Sequence, residues 1–235
     1  MRARGFEYPV FDWVWIPELD SRYGITDRET AAKWGYAVPS SITDAEQVQQ
    51  SAWAHYWDSL STDEQAASDR ALNGDPGDVS EAPGSGGDIF AETGGCNGAA
   101  MGTLHGSLDG YLEYEGLRSQ LWDLRTQALV TSQKDERVLG AIRDWSQCME
   151  GRGIQADSPL DIGERFVAHD DPAVEIATAI ADVECKDAVD LVYRWSTVER
   201  ELQMAAIQSA PHKLERFEEL EADFLSNARD VLNGR

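Results

Sequence analysis

Three cysteines, Cys96, Cys148 and Cys185, are the residues of this chain with the most chemistry to offer. An odd count in an exported protein leaves one thiol over or one partner missing. The surroundings of Cys148 suggest which. Cys148-Met149 is followed by Gly153-Ile154, and the chain opens Met1-Arg-Ala-Arg-Gly5-Phe6, so the two segments agree at Met, at Gly four residues on and at the apolar residue after it. The second copy carries a cysteine where the first has none. This echo predicts a cysteine directly upstream of Met1, and with it a mature or trimmed form of a longer exported protein. Cys148 would then bridge to Cys185, tying two helices at a gain of roughly 3 to 4 kcal/mol by chain entropy. Cys96 is the unpaired cysteine, the counterpart of the one missing before Met1. The alternative is three reduced thiols acting as small apolar residues in a cytosolic protein. Zinc is disfavoured, because the cysteines and four histidines show no Cys-x-x-Cys or His-x-x-x-His spacing.

Other chemistries have less to build on. The chain lacks a Gly-x-Ser-x-Gly elbow, a phosphate-binding glycine loop after a strand and a His-Glu-x-x-His pair, and His55, His105, His169 and His212 are scattered. A Cys96 nucleophile with His105 nine residues on lacks an orienting third group. Asp75, Asp78, Glu81 and Asp88 are close in sequence but do not follow the calcium-loop order. No catalytic residue, cofactor or metal is expected, and the chain reads as more binder than enzyme. Trp13, Trp15 and Tyr36, in an aromatic-rich first quarter, are the candidate surface for a ligand or partner.

Composition narrows the partners. With 43 acidic against 20 basic residues, a net charge of -23 repels nucleic acid and anionic lipid, so neither is an expected partner. Eight tryptophans argue for a packed core rather than disorder. No apolar run is long enough to span a bilayer.

The elements that would position these residues are helices. Thr26 to Glu29, Thr43 to Glu46 and Ser61 to Glu64 each match the capping box, in which an N-cap hydroxyl and an N3 glutamate satisfy each other's backbone donors. Residues 1–25 mix aromatics and prolines without a helical period, which suggests an extended aromatic segment. Residues 74–95, rich in Gly, Pro and acidic side chains, are expected to be a flexible loop without regular structure. A helix from about Asp135 to Met149 shows Val138, Ile142 and Trp145 on one face. Asp170 or Asp171 caps another, starting near Pro172. Leu191, Trp195, Val198, Leu202 and Ala205 then recur at spacings of four and three, a coiled-coil-like seam. A second stripe from Leu214 to Val231 follows Pro211, so the tail is a helical hairpin or one kinked helix. The expected fold is all-α, a helical bundle in a single domain over residues 1–235.

The Cys148-Met149, Gly153-Ile154, Ala181-Asp182 and Cys185 elements, with Met1, Gly5-Phe6-Glu-Tyr8 and Tyr23-Gly24-Ile25-Thr26, resemble a group of secreted or lipid-anchored helical proteins of actinobacteria. The resemblance covers about half the chain, on motifs of modest specificity, and the absent first cysteine and export signal depart from it. It implies an extracytoplasmic helical protein with paired cysteines, and a possible lipid anchor upstream of Met1. It implies no reaction. Function is therefore expected to be non-catalytic binding of a protein partner or small ligand. The alternatives are an intracellular helical oligomerisation partner with reduced cysteines and an enzyme whose site sequence motifs do not reveal.

Overall fold

The computed structural model describes residues 1–6, 22–36, 54–87, 89–166 and 171–234. Trp13, Trp15 and the cap expected at Thr43 lie outside them. The chain is all-α, with helices α1 (Arg28–Trp34), α2 (Thr62–Asn73), α3 (Gly95–Leu104), α4 (Leu108–Ser132), α5 (Glu136–Gly151), α6 (Pro172–Ala188), α7 (Leu191–Ser209) and α8 (Pro211–Leu232). It divides into two compact units. The first comprises Met1–Phe11, Gln50–Gln127 and Gln203–Arg235, and the second Asp12–Gln49 and Ala128–Leu202.

Local signals fix most helix ends. Ser61 and Glu64 form the expected capping box on α2, and Gly74 closes it at φ +92°. On α1 the cap is Asp27 rather than Thr26. Its carboxylate accepts from the Thr30 amide at 2.7 Å, bringing a full charge to the positive end of the helix where a threonine would bring only a dipole. Asp135 caps α5, and Asp171 caps α6 ahead of Pro172. After α7 the chain leaves helical geometry at Ala210, with φ -148° and ψ 60°, and resumes at Pro211. The tail is two helices with a one-residue break.

The second unit holds the larger core. Val138, Ala141, Trp145 and Met149 of α5 meet Ala181 and Cys185 of α6 and the seam residues Leu191, Trp195 and Val198 of α7, with Leu202 packed at the edge. The coiled-coil-like seam is thus spent inside the chain. The short α1 packs on α6 through Ala31, Ala179 and Val183. Gly24, at φ +73°, lets the entry to α1 press against the Pro159 carbonyl, and a Cβ there would also stand 2.8 Å from Lys186 Nζ. Gly24→Ala is expected to cost about 2 kcal/mol or more, from left-handed strain and this clash, read from the urea midpoint.

The first unit packs smaller residues. Among the described residues, Ala71 of α2, Ala82, Ala91 and Leu220 of α8 are its buried apolar side chains. Residues 74–95 are not wholly irregular. Val79–Glu81 and Phe90–Glu92 pair antiparallel, with Val79 opposite Glu92 and Glu81 opposite Phe90. The inward face of this hairpin carries the buried Ala91, the adjoining Ala82 is fully buried, and the Ala82 amide donates to the Ile89 carbonyl. Three-residue strands are too short to show a period of two, and small alanines are what make the segment dock.

Candidate functional site

In the second unit, one face of α6 presents Asp182, Cys185 and Lys186 inward, because positions three and four apart share a helix face. Cys185 is bonded to Cys148 near the end of α5, with a Cα–Cα separation of 5.7 Å. The link joins two helices 37 positions apart in sequence. Removing it by Cys148→Ala with Cys185→Ala is expected to lower stability by about 2 to 4 kcal/mol, measured by chemical unfolding against the oxidised parent.

One turn from the disulfide lies a buried polar network. Asp182 is fully buried and accepts from Trp145 Nε1 at 2.9 Å, Tyr36 Oη at 3.1 Å and Lys186 Nζ at 3.0 Å. Lys186 also donates to the Ile25 carbonyl at 2.8 Å. Burial pushes the Asp182 carboxyl up and the Lys186 amine down, while each partner's charge and their hydrogen bonds oppose that drift. Tyr36, the one surface candidate within the described residues, has its hydroxyl on this carboxylate and its ring stacked on Phe166. Burial and the Asp182 charge raise its pKa. Neighbouring Glu199, also buried, receives Arg22 Nε at 2.7 Å and Tyr23 Oη at 2.9 Å. Every polar atom of Asp182, Tyr36 and Trp145 in this network is engaged by protein, which is the pattern of a specifying core rather than of an open reaction centre. Sequence reading missed the Asp182–Lys186 pair. Its burial comes from Trp145, Tyr36 and Ile25, which are distant in sequence, so a pair four apart on a helix gave no local sign of it.

The first unit offers a surface groove. Its volume is about 360 Å³, and it is lined by Pro83, Gly84, Glu113, Leu117, Gln120, His212, Lys213 and Arg216. Arg216 is held by Glu113 in a two-pronged pair at 2.8 Å and by Glu219 at 3.0 Å, which orients the guanidinium along one wall. Gly116 brings α4 against the carbonyl of Pro83, a groove residue, where a Cβ would not fit. The size suits a small ligand or the tip of a partner's side chain.

Next to the α3–α4 turn, His105 is enclosed by the rings of Tyr111, Tyr114 and Phe224, with centroids 4.8 to 5.2 Å away. Its Nδ1 is buried and has no hydrogen-bond partner among the described residues. Burial lowers its pKa, with Glu115 opposing weakly. A depressed folded pKa means the unfolded state takes the proton first, so the contribution is complete above about pH 6.5 and is lost as pH falls through the depressed value. His105→Phe is therefore expected to flatten the loss of stability between pH 7 and 5, measured by urea midpoints across that range.

Among the described residues no group of three or more His, Cys, Asp or Glu is placed to hold a metal ion, and no helix is long and apolar enough to cross a membrane. Cys96 lies in the first turn of α3 and is half-buried and unpaired in a disulfide. No protein-family model, curated protein or solved structure matches this chain.

Proposed function

We propose that this chain is a non-catalytic, extracytoplasmic helical protein that binds a protein partner or a small ligand, exported or held at a membrane by an anchor. The observation that carries this reading is the Cys148–Cys185 disulfide within the larger core, since such bonds persist chiefly in oxidising compartments. On this reading the first unit carries the binding element. There the groove at Gln120, Lys213 and Arg216 is open, and Phe90 and Trp122 remain about three-fifths exposed, at 62% and 61%. Tyr36 is assigned to the core network instead.

The reading is tested by labelling intact producing cells with a membrane-impermeant amine reagent. The expected result is modification of Lys33 and Lys213 without lysis. Labelling only after lysis would place the protein inside and overturn the proposal. The intracellular partner reading needed the α7 seam as an oligomer interface, and Leu191, Trp195 and Val198 are buried within the chain.

A further inference from the structure

Two turns of this chain share one backbone geometry. At the end of α5 the amides of Arg152 and Ile154 both donate to the Met149 carbonyl at 3.0 Å, and Gly153 stands at φ +80°. At the other, the amides of Arg4 and Phe6 donate to the Met1 carbonyl at 2.8 and 3.3 Å, and Gly5 stands at φ +85°. Both have the six-to-one bond of a Schellman helix end, with Met three positions inside the cap, glycine in the left-handed position and an apolar residue after it. The Met-x3-Gly-apolar echo is therefore a shared structure. In the α5 copy, the residue immediately before Met149 is Cys148, which bonds Cys185. In the other copy, the Met1 nitrogen, the atom through which a preceding residue would be joined, lies 3.2 Å from Cys96 Sγ. A residue joined there has its Cα about 2.5 Å beyond that nitrogen, which brings a cysteine side chain within bonding reach of Cys96.

We infer that Met1–Phe6 and Cys96 form a second cystine site, which takes a cysteine thiol at the position directly ahead of Met1 as Cys148 stands ahead of Met149. The internal copy supplies the ligand class, because its equivalent residue is bonded to sulfur. The chemistry balances as exchange with oxidised glutathione: two thiols give up two protons and two electrons, one S–S bond forms, and the oxidant leaves as two molecules of reduced glutathione. The inference deepens the extracytoplasmic reading, on which it rests for the place where such a bond would be kept.

The test extends the full chain by Gly-Ser-Cys ahead of Met1, folds it in a glutathione redox buffer, alkylates free thiols and maps linked peptides. A Gly-Ser-Ser extension is the control. The expected result is a link from the added cysteine to Cys96, with Cys96 alkylation falling about tenfold or more and the thermal midpoint rising by roughly 5 to 15 °C. Cys96→Ser in the cysteine-extended chain should abolish the link. If Cys96 stays fully alkylatable, or the added cysteine is recovered only as its glutathione mixed disulfide, the site is overturned. The same digest scores Cys148–Cys185, so loss of the Cys96 link alone overturns this site, whereas loss of the Cys148–Cys185 link alone overturns the oxidised-core reading.

Discussion

Lys186→Met is expected to destabilise the protein by about 3 to 5 kcal/mol at neutral pH. The side chain is almost wholly buried and is, among the described residues, the one cationic donor to the Asp182 carboxylate, alongside the neutral donors of Trp145 and Tyr36. Removing the cation leaves the carboxylate in an apolar core with two neutral donors, and frees the Ile25 carbonyl as well. The loss should depend on pH in a defined direction. Burial raises the folded pKa of Asp182 above its unfolded value, and loss of the ammonium raises it further. The variant's deficit is thus smallest below about pH 4, where the carboxyl is protonated in both states, and grows as pH rises through the raised value. Pairing the change with Asp182→Asn should recover most of the stability, since a neutral amide can still meet Trp145 and Tyr36. Urea unfolding of the two single variants and the double variant closes the cycle. A deficit below 1 kcal/mol for Lys186→Met at pH 7 would show that the pair is not buried as described.

Trp195→Ala is the second large effect, about 3 to 5 kcal/mol from lost burial and the cavity left behind. Trp195 is 1% exposed, its ring lies 5.5 Å from that of Tyr23, and its Nε1 donates to Ser132 Oγ at 2.7 Å. Trp195→Phe keeps most of the apolar volume and should cost less, about 1 to 2 kcal/mol, chiefly the lost hydrogen bond. The pair of variants also decides what the seam is for. If it is intramolecular core, the solution mass of the parent is that of one chain at all concentrations, and neither variant changes it. If the seam joined chains, the mass would rise with concentration and Trp195→Ala would lower it.

The parts of this fold that could be read in the sequence are those written in neighbouring residues. Ser61 with Glu64, Gly74, Asp135 and Asp171 act within one helical turn, so their roles needed no tertiary knowledge. The α7 stripe was legible for the same reason, though its period could not say whether the partner was the same chain or another. What stayed hidden depends on distant partners. Asp182 and Lys186, four apart on a helix, look like a solvent-facing ion pair, and only Trp145, Tyr36 and Ile25 arriving from elsewhere show them as core. Tyr36 was hidden by the same carboxylate. The hairpin at Val79–Glu81 and Phe90–Glu92 was masked by Pro83 and the glycines between its strands. The Met-x3-Gly echo was visible as letters, whereas the matching turns beneath it rest on backbone bonds and on Gly5 and Gly153 at positive φ.

The oxidised, disulfide-tied core is the claim on which the compartment and the proposed binding role both stand. It is tested most directly on protein recovered from its producing cells, with thiols alkylated at lysis and the digest mapped without reduction. Nearly all molecules should yield a Cys148–Cys185 linked peptide. Folded protein with Cys148 and Cys185 both alkylated would contradict it, and would move the protein to a reducing compartment.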